Sequence, residues 1–397
     1  MSPKKDWNHW VEKTLQARRD AGLLRTLEAV KPSSAVHVEV EGRRVVLFSS
    51  NDYLGLSEDE RVIRGVQETV EKYGLGPRGS PLICGHTLLH QELEERLAGW
   101  KKTESALLFP TGFSANLAVI SAVANSDTTI FSDELNHASI IDGCTLARRS
   151  GARLRVYPHR DASALEKMLR VCETKRALVV TDSVFSMDGD LAPLVDLTEI
   201  CEEHGALFMI DEAHGSFVFG KHGRGLAAEL GVSDKVDIHI GTLSKGAGNH
   251  GGFVATTTAI KTLLLNLGRS YIYSTAAPLS VIGGVLAALD VVESDDEPRQ
   301  RLWSRVEQLG DGLGVKLKSP IVPIVIGDKA ETIRAAKNLR EAGIGVTAIR
   351  PPTVAEGTSR LRVTLSAAHS SEDVDRLLEA IKELSKWCDF TVGYEGL

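Results

Sequence analysis

The 397-residue sequence predicts an α/β protein, with a large mainly parallel sheet flanked by helices and a smaller C-terminal α+β unit. Three observations predict it. From about residue 104, short apolar runs alternate with helical periodicity, as parallel strands joined by crossover helices do. Glycines and polar residues gather just after several of those runs, where ligands bind in open α/β sheets. A charged stretch, "SDDEPRQR" at 294–301, then separates this region from about one hundred residues with their own strand and helix patterns. The expected divisions are an N-terminal helix with short strands (1–50), a large ligand-binding domain (51–293) and a small C-terminal domain (294–397).

The elements follow in order. "MSPKKDWNHWVEKTLQARRDAGLLRTLEAV" predicts an amphipathic N-terminal helix carrying Arg25. Asp6, Glu12, Asp20 and Glu28, with Ser2 as its one serine, argue against an organellar presequence, which is poor in acids and rich in serine. In the central region "ALLFP" precedes the helical "GFSANLAVISAVA", and "TTIFSD" precedes "HASIIDGCTLARR". "RLRVYP" precedes "DASALEKMLRVCE", "RALVVTD" precedes "PLVDLTEICEEHG", and the strands "ALFMID" and "VDIHIG" complete the series. Beyond 301 the strands are "IVPIVIG", "GVTAIR" and "RLRVTL", with helices near 330–342 and 371–386.

Composition narrows the function classes. A net charge of −7 with no basic block opposes general nucleic-acid affinity, which rests on clustered Lys and Arg. Five scattered cysteines (Cys84, Cys144, Cys172, Cys201 and Cys388) without a C-x-x-C pair point to reduced thiols rather than a zinc site or disulfide framework. No apolar run reaches the roughly 20 residues that span a bilayer. The expected location is the cytoplasm, without membrane or nucleic-acid partners and without a metal.

The chemistry gathers at the strand ends. "IHIGTLSKGAGNHGGF", 238–253, brings Lys245 to the end of a buried run between Thr242, Ser244 and a series of glycines. A desolvated lysine amine loses its proton and becomes a nucleophile. The phosphate-loop pattern that would give it another use is absent. "FMIDEAHG" puts Asp211 at the mouth of a strand, with His214 three residues on. It is either a helix cap or an anion that keeps a ring nitrogen protonated. "PTGFSAN" opens a helix with Gly112 and Phe113, whose amides can hold a phosphate or simply begin a capped helix. "NHASI" sets His137 at another helix start, as a cap or as a partner for a planar ring. Together, a phosphate-binding helix start, a ring partner, a buried aspartate and a nucleophilic lysine describe a site for pyridoxal 5'-phosphate.

The motifs "SSNDYLGL", "GPRGSPLICGHTLLHQELE", "FPTGFSAN", "NHASI", "VFSMDGDLAPL", "DEAHG", "GTLSKG", "YIYSTAAP" and "AIRPPTVAEGTSRLRVTLSAAH" run through nearly the whole chain. Through them the sequence resembles the α-oxoamine synthases, a branch of the fold-type I pyridoxal phosphate enzymes. The resemblance implies a seven-stranded, mainly parallel sheet and a decarboxylative joining of an amino acid to an acyl thioester. The "IRPPTV…GTSRLRVTLSAAH" stretch is similar to the biotin-pathway members, which use L-alanine and a pimeloyl group carried on coenzyme A or on a carrier protein. Sister activities that use glycine or serine share most of the motifs. A non-catalytic partner subunit of the family would lack the lysine that is present here as Lys245.

Carried over by resemblance, Lys245 is the Schiff-base lysine and moves the substrate α-proton. Asp211 pairs with the ring nitrogen, His214 sits near the ring hydroxyl, and His137 stacks on the ring. Ser186 lies beside the cofactor, while Gly112, Phe113 and Thr242 hold its phosphate. Ser274 and Thr275 reach the phosphate of a neighbouring subunit, which implies a homodimer. Arg362 clamps the amino-acid carboxylate, Asn51 and His90 line the substrate side, and Arg25 meets the acidic end of the acyl chain.

Overall fold

The computed structural model describes residues 3–393, which form two compact units. The larger comprises Asn51–Trp303 and Ser366–Ala368. The smaller comprises the segment up to Ser50, Ser304–Leu365 and the segment from His369 onward. The last four residues of the C-terminal tail, 394–397, lie outside the described residues.

The larger unit is built on seven strands: β1 (Ser105–Phe109), β2 (Thr128–Asp133), β3 (Arg153–Tyr157), β4 (Arg176–Asp182), β5 (Leu207–Asp211), β6 (Ile238–Thr242) and β7 (Gly252–Thr256). Their order is β1-β7-β6-β5-β4-β2-β3. All neighbouring pairs are parallel except those of β7, which runs antiparallel to both β1 and β6. The expected fold class is therefore observed. The apolar runs named six of these strands; β7 follows β6 through a glycine-rich loop rather than a helix, so it breaks the alternation that revealed the others.

Helices fill the crossovers because the local chemistry starts them there. Thr111 caps the helix Gly112–Val123, accepting from the Ser114 amide at 3.0 Å. Such a cap contributes about 1 kcal/mol. Val119 and Ile120 of that helix, with Ile140 and Cys144 of the helix Ala138–Arg148, pack in one core with Ile130, Leu178, Val180, Met209, Ile240 and Val254 of the sheet. Every residue of β2 and of β6 is buried, which requires cover on both faces. Each large apolar side chain so enclosed contributes roughly 1.5–3 kcal/mol. The central strands are thus rigid, and their carboxyl ends are a firm base for a site.

In the smaller unit, Lys31–Pro32, His37–Val40 and Arg43–Leu47 form an antiparallel sheet to which Ile344–Gly345 adds a parallel strand. A second sheet has the order Thr347–Ile349, Ser359–Thr364, Ile321–Gly327, Thr391–Val392, so part of the C-terminal tail is an edge strand. Helices Lys329–Glu341 and Ser371–Leu384 lie where their periodicity predicts; the second begins in a capping box between Ser370 and Asp373.

The N-terminal helix, Pro3–Asp20, is shorter than the sequence suggests, and Arg25 lies beyond it. Gly22 ends the helix at φ 68°. Its amide bonds the Arg19 carbonyl at 3.0 Å and the Leu23 amide bonds that of Arg18 at 2.8 Å. This is the left-handed glycine stop that L side chains rarely adopt.

Candidate active site

Five strand ends and helix starts in the larger unit meet around Lys245. The residue follows β6, half-buried, with Nζ 2.7 Å from His214 Nε2. His214 is delivered by the turn after β5 and is 5% exposed. Its other ring nitrogen, Nδ1, lies 2.6 Å from the hydroxyl of Tyr53, which is also 3.4 Å from Asn51 Oδ1. A polar chain therefore runs Asn51, Tyr53, His214, Lys245.

Asp211 ends β5 and is 4% exposed. Its carboxylate accepts from Asn116 Nδ2 at 2.6 Å and from the Ala213 amide at 2.8 Å. Asn116 reaches it from one turn inside the helix that Gly112 opens, and also donates to Ser139 Oγ at 2.8 Å. The Asn116 carbonyl oxygen is buried without a partner among the described residues. His137 caps the helix Ala138–Arg148 through its side chain, which lies 2.7 Å from Ser139 Oγ, while its amide donates to Asp182 at 2.7 Å. The surrounding cleft holds the His137 ring below the ordinary histidine range; the Lys245 charge adds to this and Asp211 opposes it. The ring of Phe113 meets that of His137 edge-on at 6.4 Å.

The candidate anion-binding end is shaped by close backbone approach. Ser114 and Ala115 amides are taken by Thr111, leaving the Gly112 and Phe113 amides at the positive end of a twelve-residue helix. A Cβ at Gly252 would land on the Gly112 amide nitrogen, and one at Gly112 would meet Thr242 Cβ at 3.4 Å. Glycine at these positions brings the helix start against the Thr242 hydroxyl, which itself lies 2.7 Å from Ser244 Oγ. Ser186 sits in the loop after β4, a short turn closed by the Val184–Leu191 bridge.

The donor set fits pyridoxal phosphate. A dianion needs the helix-start amides with Thr242, a pyridine nitrogen needs the buried Asp211, and an aldehyde needs Lys245. The remaining expected residues have contacts within their own units. His90 is 3% exposed and acts as the third residue of the helix Leu88–Lys101, pairing with the Thr87 cap and reaching the Ala277 carbonyl at 3.0 Å through Nε2. With Ser274 and Thr275 it lines a small cavity that does not include Lys245. Arg362 is a buried guanidinium on Ser359–Thr364 of the smaller unit, 6% exposed. Arg25 lines a cavity of about 520 Å³ in the smaller unit, together with Arg18, Arg350 and Thr353, and bonds Thr353 Oγ1 at 3.3 Å.

Tyr53, Asn116, Ser139 and Asp182 are the residues that the motif reading passed over. Two had a visible signal. Asp182 ends "RALVVTD" just as Asp211 ends "ALFMID", and Asn116 stands four residues past Gly112, on the same helix face.

A lysine, a buried aspartate and a phosphate-ready helix start at the carboxyl edge of this sheet define a fold-type I pyridoxal phosphate enzyme. The chain belongs to the aminotransferase class I and II family, whose model matches residues 43–381. Within it, the chain is 47% identical over 376 residues to the 8-amino-7-oxononanoate synthase of Marinobacter nauticus, covering 93% of this chain and 94% of that protein. It is 45% identical to the Arabidopsis thaliana enzyme of the same name, over 88% of this chain and 76% of that one. Among solved structures, serine palmitoyltransferase of Sphingomonas wittichii superposes with a TM-score of 0.88 at 32% identity, covering 94% and 96% of the two chains. Another serine palmitoyltransferase structure, described with its PLP internal aldimine, gives a TM-score of 0.89 at 29% identity over 97% and 99%.

Proposed function

We propose that this enzyme condenses L-alanine with a pimeloyl thioester, releasing carbon dioxide and the thiol carrier and yielding 8-amino-7-oxononanoate for biotin synthesis. The observation that carries the reading is identity of 42–47% with enzymes of that name over about 94% of the chain, in a chain that keeps Lys245 beside His214 and Asp211. Pyridoxal phosphate, when bound, supplies an aldehyde for amines and a protonated ring that draws electrons from the adjacent carbon.

The residues would divide the work as follows. Gly112, Phe113 and Thr242 hold the phosphate, and Ser186 lies beside the ring. Asp211, oriented by Asn116 and the Ala213 amide, keeps the ring nitrogen protonated. His137 covers one ring face, and His214 meets the ring hydroxyl. Lys245 Nζ removes the alanine α-proton and later returns a proton to the same carbon. In between, that carbon attacks the thioester carbonyl, the thiolate leaves, and the carboxylate departs as carbon dioxide. Arg362 holds the alanine carboxylate, since a planar guanidinium matches a planar anion in two hydrogen bonds. Asn51 and His90 line the substrate side. Arg25 takes the far carboxylate of the pimeloyl chain, a role supported by the arginine-lined cavity it shares with Arg350.

We read the working form as a homodimer in which Ser274 and Thr275 serve the partner's cofactor phosphate. Supporting this, Ile83, Leu88 and Tyr273, near the cavity these residues line, are 81%, 82% and 73% exposed and invite a second copy. No helix of the described residues is long and apolar enough to cross a membrane. All five cysteines are free thiols, which supports a cytoplasmic setting.

The test is direct. The cofactor-loaded protein is given pimeloyl-CoA with L-alanine, glycine or L-serine, and carbon dioxide release is followed with mass detection of the amino ketone. Alanine should give the highest kcat/KM. A preference for serine would move the enzyme toward the activity of its structural neighbours, and no product with any of the three would overturn the reading.

A further inference from the structure

We infer that Tyr53 is a positioning residue: its hydroxyl holds His214 Nδ1, so that Nε2 is the ring atom presented to Lys245. The inference deepens the reading above and rests on Lys245 being the proton-moving amine. Three facts carry it. The contacts are short on both sides of the imidazole, 2.6 Å from Tyr53 Oη to Nδ1 and 2.7 Å from Nε2 to Lys245 Nζ. Both rings are enclosed, Tyr53 at 1% and His214 at 5% exposure, so the bonds form away from bulk water. And Tyr53 has a second acceptor within reach, Asn51 Oδ1 at 3.4 Å.

Two proton arrangements satisfy this chain. In the first, Tyr53 O–H donates to Nδ1, and Nε2–H donates to the lone pair of a neutral Lys245. In the second, a charged Lys245 donates to Nε2, Nδ1–H donates to Tyr53 Oη, and Tyr53 O–H turns to Asn51 Oδ1. A tyrosine hydroxyl both donates and accepts, so it can serve either tautomer. A phenylalanine serves neither. The chain lets His214 act as hydrogen donor to the bare amine and as acceptor for the protonated one. The two arrangements differ by one proton on Lys245 and by the imidazole tautomer, so passing from the first to the second adds a proton to Lys245, takes one off Nε2 and places one on Nδ1. With the cofactor bound, the same Nε2 would meet its ring hydroxyl, and Tyr53 would still fix which ring nitrogen faces it.

The experiment uses Tyr53→Phe, which keeps the ring and drops the hydroxyl. The first readout is the ¹⁵N spectrum of the His214 imidazole in the protein without cofactor, assigned by its loss in His214→Gln. We expect wild type at high pH to carry its hydrogen on Nε2, and Tyr53→Phe to give a mixture of tautomers. The second is steady-state kinetics of the cofactor-loaded enzyme, with kcat lowered about tenfold and the KM for alanine changed less than twofold. An unchanged tautomer together with unchanged kcat would overturn the inference, as would a pure loss of alanine affinity. Should Tyr53→Phe fail to fold, the wild-type spectrum decides alone: hydrogen fixed on Nδ1 across the titration overturns the inference, and a change of tautomer with Lys245 protonation supports it. The spectrum is independent of substrate choice, so a protein that ignores alanine but keeps the Tyr53-dependent tautomer would sink the reaction and leave this inference standing.

Discussion

Asp182 and Asp211 stand opposite each other in register, at the ends of the adjacent parallel strands β4 and β5. Two buried carboxyls this close do not share the same protonation state easily. Burial first, and the Asp211 charge second, push Asp182 well above the ordinary carboxylate range. Asp182 is thus held in its protonated form to a higher pH than a free carboxyl, and Asp211 is the one proposed to serve the cofactor. Its raised folded value means that protonated Asp182 favours the fold at acid pH, an advantage lost as pH rises toward that value. Asp182→Asn is therefore expected to match or exceed wild-type stability at pH 8, with the difference shrinking toward pH 4, in urea titrations at each pH. Asp211→Asn should leave the fold intact and lower kcat by roughly a hundredfold or more. Equal damage from both changes would refute this division.

Lys245→Ala should abolish turnover and the visible absorbance of the lysine-linked cofactor while leaving the unfolding transition within about 0.5 kcal/mol of wild type. Arg362→Ala should raise the alanine concentration needed for half-saturation by tenfold or more while cofactor affinity stays within a factor of about two. Spectral titrations with alanine and with cofactor separate the two effects. An Arg362→Ala enzyme with unchanged alanine affinity would remove the carboxylate role.

His159 links the Ser186 loop to the sheet. Its ring nitrogens lie 2.9 Å from Asp133 and 2.9 Å from Asp190. Burial alone would lower its pKa, but these two carboxylates reverse the effect and raise it to about 9. The bridge is fully present below the unfolded histidine value, about 6.5, and is lost as pH rises through 9. Wild-type stability should fall between pH 7 and 10, and His159→Gln should flatten that fall; an identical slope in the variant would exclude His159 as its source.

The turn that follows Asp211 and carries His214 is anchored by a fully buried ion pair. Lys101 Nζ donates to Glu212 and to Ser216 Oγ, and both charged side chains are 0% exposed. Burial alone would raise the Glu212 pKa, but the Lys101 charge outweighs it and holds the carboxyl down at about 2. Lys101→Met strands the Glu212 charge and is expected to cost about 3–5 kcal/mol, much of it recovered in Lys101→Met with Glu212→Leu. Chemical denaturation of the two single variants and the double variant measures this coupling.

Gly252→Ala would set a methyl group against the Gly112 amide. It should destabilise the protein by roughly 1–3 kcal/mol and weaken cofactor binding through the displaced helix start. Equilibrium dialysis of the cofactor and thermal unfolding test both halves.

Much of this was legible in the sequence for a physical reason. A strand buried on both faces is an unbroken apolar run, and it ends where polarity returns, so Asp211 and Lys245 announced themselves. The strand β7 did not, because five residues after a glycine loop carry no periodicity of their own. Tyr53 lies far from His214 in sequence, and a contact across that separation leaves no local pattern. His90 and Ser274 were seen as motif members, but capping geometry around Thr87 and a bond from Ser274 to the Ser270 carbonyl became visible only in three dimensions. Arg25 shows the opposite failure, since a single left-handed glycine cut short a helix that composition would have carried through it.

The antiparallel turn of β7 has a consequence for how this chain can vary. Thr242 and Gly252 face each other across the ladder, so the residues between them, Lys245 included, form a ring of backbone closed by sheet hydrogen bonds. Were a residue added or deleted inside that ring taken up by β7 rather than by the loop, the register would slip and every side chain of β7 would turn to the opposite face, expelling Phe253 and Val254 from their places. Length, more than composition, is what this segment must preserve. Homologous chains that swap residues freely within it should still count the same number of steps from Thr242 to Gly252.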